Sequence, residues 1–78
     1  MRPVDWKDLK SICESQGCVM SRMRGDHCVM TRAGMARPAV FPMKRDLAED
    51  IVLGVGRTIG LNRKELEHLL NTKTKPAR

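Results

Sequence analysis

The sequence predicts a small two-layer α+β sandwich, with helices on one face of a three-stranded antiparallel sheet, in the order α-β-β-β-α-α. Three observations carry this expectation. Apolar residues recur at helical spacing over about 5–16, the period shortens to strand-like between 18 and 42, and helical spacing returns after Asp46. With 78 residues the chain has room for one domain and a small core.

The first helix is expected from about Asp5 to Gln16. Asp5 is a good N-cap and Asp8 sits near the positive end of the helix dipole. Trp6, Leu9, Ile12 and Cys13 make one apolar stripe, and Gly17 is a C-terminal stop. Residues 18–24 read as the first strand, Gly25-Asp26 as a turn, and 27–32 as the second strand. Alternation then puts His27, Val29 and Thr31 on one face, with Cys28, Met30 and Arg32 on the other. Ala33-Gly34-Met35 is a loop. Residues 37–42 form the third strand, which Pro38 and Pro42 restrict to an edge or to a short length.

Asp46-Leu47-Ala48-Glu49 has the spacing of a capping box, followed by a stripe of Leu47, Ile51, Val52, Val55 and Ile59. Gly54 and Gly56 lie within this helix, where close packing on the sheet would explain them; Gly60 ends it. Asn62-Arg63-Lys64-Glu65 is a second capping box, opening a short helix with Leu66, Leu69 and Leu70 inward. One domain is thus expected over 1–70, with 71–78 (NTKTKPAR) as a basic disordered tail.

Fifteen Lys and Arg against nine Asp and Glu give a formal charge of +6, which favours a polyanionic or acidic partner. Asp5, Lys7, Asp8, Lys10 and Glu14 interrupt any apolar leader, and no run reaches the roughly 20 apolar residues of a membrane span. The expectation is a soluble, cytoplasmic protein without a membrane partner. Cys13, Cys18 and Cys28 are odd in number and lack C-x-x-C spacing, so they read as small core hydrophobes of a reducing compartment. Neither His27 nor His68 stands at metal-ligand spacing from them, and no cofactor or metal is expected. The only aromatics, Trp6 and Phe41, are too few for a sheet that stacks bases, leaving phosphate and sugar contacts as the route to nucleic acid.

An ordered set of features resembles the HicA (YcfA-like) family of toxins of type II toxin–antitoxin systems. An N-terminal helix ends in Gly; a strand ends in Arg22-Met23-Arg24; Gly25-Asp26-His27 stands where that family has Gly-Ser/Asp-His. The stretch from Thr31 to Pro42 resembles its second and third strands, and Asp50-Ile51-Val52-Leu53 to Arg57-Thr58-Ile59-Gly60-Leu61 its following helix. The match covers roughly residues 5–70. Asp26 departs from the commoner Ser or Thr before the histidine, and Cys28 from the frequent His or aromatic after it. The resemblance implies a double-stranded-RNA-binding-domain-like fold, ribonuclease action on messenger RNA, and neutralisation by an acidic HicB-like antitoxin. It also implies that Gly25 is a motif residue and that His27 is catalytic.

The chemistry suits those residues. RNA carries its own nucleophile, the 2′-hydroxyl, so a nuclease can work by moving protons and stabilising charge on phosphate. An imidazole, with an unperturbed pKa near ~6.5, suits the first task. Arg22, Arg24 and Arg32 flank His27 in sequence and are the expected RNA contacts for the second, Arg24 foremost. Two non-catalytic alternatives stand beside this reading. One is a helix-turn-helix DNA binder, with Arg63 and Lys64 heading a recognition helix, although Glu65 and Glu67 follow at once. The other is a double-stranded-RNA-binding module, for which Asn62-Arg63-Lys64 is a thin basic patch.

Overall fold

The computed structural model of the chain describes residues 3–74. Its elements are α1 (Trp6–Ser15), β1 (Val19–Arg24), β2 (His27–Thr31), β3 (Ala39–Pro42), α2 (Glu49–Thr58) and α3 (Arg63–Thr74). The three strands form one antiparallel sheet in the order β1-β2-β3, so β2 is central and the Pro-bounded β3 is an edge.

One face of this sheet builds the core. Cys28 and Met30 of β2, with Ala39 and Phe41 of β3, are buried with Leu9, Ile12 and Cys13 of α1, Val52 and Val55 of α2, and Leu66 and Leu70 of α3. The strand period of two therefore leaves His27 and Val40 on the opposite, open face. All three cysteines are free and buried, packed as apolar groups. Burial pushes the Cys13 thiol up to about 12 and raises that of Cys28 as well. No described helix is long and apolar enough to cross a membrane.

Local signals explain most boundaries. Asp5 caps α1 by accepting from Lys7 N–H at 2.9 Å. The box at α3 is reciprocal: Glu65 N–H donates to Asn62 Oδ1 at 2.8 Å, and Asn62 N–H to Glu65 Oε1 at 3.0 Å. The expected box at Asp46 does not form. The N-cap of α2 is Ala48, with no side-chain cap bond. Leu47 is instead extended and bridged to Val4, its N–H donating to the Val4 carbonyl at 2.8 Å. Both side chains are buried there, at 1 % and 3 % exposure, and that apolar gain outweighs one cap.

Gly56 also differs from expectation. It permits approach of α3 rather than of the sheet: a Cβ there would stand 2.9 Å from Leu66 Cδ2. Gly54 has open space around it. Finally, α3 runs through Thr74, a turn beyond the expected end at Leu70, so the first residues of the supposed tail are helical. The remainder of that tail, 75–78, lies outside the described residues.

Candidate active site

His27 is the first residue of the central strand, fixed by hydrogen-bonded neighbours on both sides. It pairs with Arg24 of β1 and with Pro42 of β3. A two-residue turn, Gly25-Asp26, joins β1 to β2. Gly25 has φ +59° and no non-glycine residue among the described residues has positive φ, the pattern of a type II′ hairpin with glycine first. The Asp26 carbonyl accepts from Met43 N–H at 2.7 Å, which ties the hairpin tip to the end of β3. The site thus rests on sheet and turn backbone that has little freedom to move.

A β-bulge selects which side chains share this face. Val19 pairs with Thr31 and Met20 with Met30, but past the irregularity Arg22 pairs with Val29 and Arg24 with His27. One extra residue, at Ser21, shifts the phase of everything after it. Without that insertion Arg22 and Arg24 would point into the core and Met23 outward. With it, both arginines stand on the open face beside His27. Met23 takes the inner side of its pair with Cys28 while remaining 54 % exposed at the sheet margin.

Arg22, Arg24, His27, Val29, Pro38 and Val40 line a shallow cavity of about 290 Å³. Its centre is apolar: Val29 is 7 % exposed although it belongs to the open face. Its rim is cationic. Neither Arg22 nor Arg24 forms an ion pair with a described residue, so both guanidinium groups are available to an incoming anion. His27 Nδ1 lies 2.9 Å from Asp26 Oδ1, and the two side chains are 46 % and 79 % exposed. The Asp26 carboxylate thus stands against Nδ1, and Nε2 is the ring nitrogen away from it.

Arg32, the third expected RNA contact, is not brought to this site. It lies on the core-facing side of the sheet, as alternation from Cys28 and Met30 requires. Its Nη1 donates to the Gln16 carbonyl at 2.9 Å and its Nη2 to the Ile59 carbonyl at 3.2 Å. These are the C-caps of α1 and α2, each followed by a glycine with φ near +90° (Gly17 at 89°, Gly60 at 88°). One cation so satisfies the negative ends of two helices and joins them to β2.

Arg63, at the start of α3, is also committed within the protein. Arg63 contacts Glu67 at 3.1 Å and pairs with Glu49 of α2, and both carboxylates raise its pKa. A recognition helix headed by this arginine would first have to break those pairs. His68, exposed on α3, is remote from His27 and borders a separate hollow with Lys64 and Leu69. Among the described residues, no three His, Cys, Asp or Glu side chains converge as a metal site.

Sequence reasoning missed a larger cleft of about 650 Å³ beside the first, between the approach to β3 and helix α2. It includes Arg37, Asp50, Gly54 and Arg57 and shares Pro38 and Val40 with the His27 cavity. The signal available was Gly54, a poor helix former whose replacement by a larger residue would narrow the cleft. The chain matches no protein-family model, and no curated protein and no solved structure is significantly similar to it.

Proposed function

We propose that this protein is an endoribonuclease of the HicA toxin type, with a double-stranded-RNA-binding-domain-like fold, which cleaves messenger RNA through the substrate's own 2′-hydroxyl. The observation that carries the reading is the meeting of His27, Arg22 and Arg24 around one cavity on the open sheet face, two of them placed there by a bulge. That constellation supplies a proton-transfer group and two unpaired cations at one phosphate-sized spot, on rigid elements. The sequence resemblance, which names the same histidine, supports it independently of the geometry.

In this reading a phosphodiester sits against Arg22 and Arg24, which stabilise the charge growing on its non-bridging oxygens. His27 Nε2 accepts the proton of the 2′-hydroxyl as O2′ bonds to phosphorus. The bond from phosphorus to O5′ breaks, the departing oxygen takes up a proton from water, and the hydroxide so formed is neutralised by the proton that the His27 imidazolium gives back to solvent. The products are a 2′,3′-cyclic phosphate and a 5′-hydroxyl. Asp26 orients the ring and stabilises the imidazolium that forms, as a carboxylate at Nδ1 does elsewhere. The same exposed, cationic face is where an acidic HicB-like antitoxin would dock and block the substrate.

The test is His27→Ala with circular dichroism as a fold control. General acid–base catalysis contributes typically about 10²–10⁴-fold, and a loss of that order is expected with an unchanged spectrum. Asp26→Asn should lose less, since the imidazole remains. Cleavage that persists in His27→Ala removes the assignment.

A further inference from the structure

The cleft between β3 and α2 is not used by the cleavage chemistry, yet it opens directly onto the site. Pro38 and Val40 line both cavities, so the two form one groove that passes around the edge strand β3. Val40 is 48 % exposed on the strip they share. Beyond it the groove meets Arg37, in the bend before β3, and Arg57, in the last turn of α2. Both arginines are exposed, and neither forms an ion pair with a described residue. The one acidic residue among the described lining residues, Asp50, sits in the first turn of α2. A cleft of about 650 Å³ is within the ~300–1,000 Å³ typical of sites that enclose a ligand.

We infer that this cleft is a second RNA subsite, in which Arg37 and Arg57 bind phosphates of the strand flanking the one held at His27. The inference rests on the RNA-cleaving reading and extends it from one phosphate to a path. The path runs from Arg22 and Arg24, over the apolar strip of Pro38 and Val40, to Arg37 and Arg57. Cations at both ends match backbone phosphates, and the apolar strip between them suits a sugar or a base face. The occupant is single-stranded. A duplex, stiff over ~50 nm in the case of DNA, cannot turn around one strand edge of a molecule 33 × 25 × 24 Å in extent. Gly54 borders the cleft with nothing within 4 Å of a Cβ position, which leaves the space clear.

The experiment measures binding separately from cleavage. Fluorescein-labelled single-stranded RNA of about 12 nucleotides and a labelled trinucleotide are titrated, by anisotropy, into the full chain carrying His27→Ala. Added to that background are Arg57→Ala, Arg37→Ala, Gly54→Glu and, as a control for the helix, Gly54→Ala. Each of the first three is expected to weaken the long RNA by about tenfold, the scale of one charge-assisted contact. The trinucleotide and the Gly54→Ala control should be unaffected. Each arginine removed should also flatten the dependence of log K on log salt by about 0.7, the single-strand value for one phosphate contact. Unchanged binding of the long RNA in Arg57→Ala and Gly54→Glu overturns the subsite, as does equal weakening of both RNAs. The same substitutions in the His27 chain are then assayed for cleavage. A parent that binds but does not cut defeats the nuclease reading alone, since the binding arm still decides the subsite.

Discussion

Replacing Arg32 separates a structural role from an RNA-binding one. Arg32→Ala removes three hydrogen bonds from one cation, to the Gln16 carbonyl at 2.9 Å, the Ile59 carbonyl at 3.2 Å and, weakly, Cys18 Sγ at 4.0 Å. It also leaves the C-terminus of α1, which has no basic residue in its last turn, without a counter-charge, and α2 with Arg57 alone. A hydrogen bond to a charged group contributes about 1.5–3 kcal/mol, and Arg32 is only partly buried, so a total near 2–4 kcal/mol is expected. In a domain this small each kcal/mol shifts Tm by about 4–8 °C, which predicts a fall of roughly 8–30 °C. Arg32→Lys should recover less than half, because one ammonium cannot serve two divergent carbonyls as the guanidinium fork does. The assay is thermal unfolding by circular dichroism, paired with RNA affinity below the lower Tm. A Tm within about 2 °C of the parent would refute the clamp, given the scale above. A flatter salt dependence of RNA binding would show that Arg32 meets phosphate after all.

Other perturbations read other parts of the account. Gly54→Ala, in open space, should stabilise by up to about 1 kcal/mol, whereas Gly56→Ala should destabilise by about that much because its methyl meets the buried Leu66; urea unfolding compares them. The Cys13 thiol stays neutral in the folded state up to about 12, above the ordinary 9.0 of an unfolded chain. Its contribution to stability is therefore full below pH 9 and lost as pH rises toward 12, so the decline of Tm across that window should be shallower in Cys13→Ala. In the native protein all three buried thiols should resist a thiol reagent until denaturant is added. An acidic antitoxin should associate quickly at low salt and more slowly as salt rises, with Arg22→Ala and Arg24→Ala reducing that salt dependence.

Where structure follows from local chemistry, the sequence was sufficient. The period change at Gly17, the Gly25-Asp26 turn, the Asn62–Glu65 box and the edge position of the proline-flanked strand all rest on residues close together in the chain. Elsewhere a distant partner decided the outcome. Asp46 has a cap's spacing, but Leu47 is needed beside Val4, and only the folded core reveals that demand. Gly56 answers to Leu66 on a different helix. Arg32 could have been separated from the site by strand alternation alone, since it shares its face with Cys28 and Met30. Nearness to His27 in sequence was the misleading signal. Arg22 and Arg24 were expected at the site, but the bulge that puts them there has no mark in the residues around Ser21. The cleft at Arg37 and Arg57 joins residues 20 apart in sequence, and no periodicity could have linked it to His27.

Cleavage through the substrate's 2′-hydroxyl, with His27 moving the proton, is the proposal on which the rest depends. Its most direct measurement incubates the purified chain, in excess EDTA, with an RNA and with a DNA of the same sequence, and examines the fragment ends. RNA alone is expected to be cut, the new ends to be a 2′,3′-cyclic phosphate and a 5′-hydroxyl, and His27→Ala to lose about 10²–10⁴-fold. Cutting of the DNA, 5′-phosphate ends, or activity abolished by EDTA would contradict it.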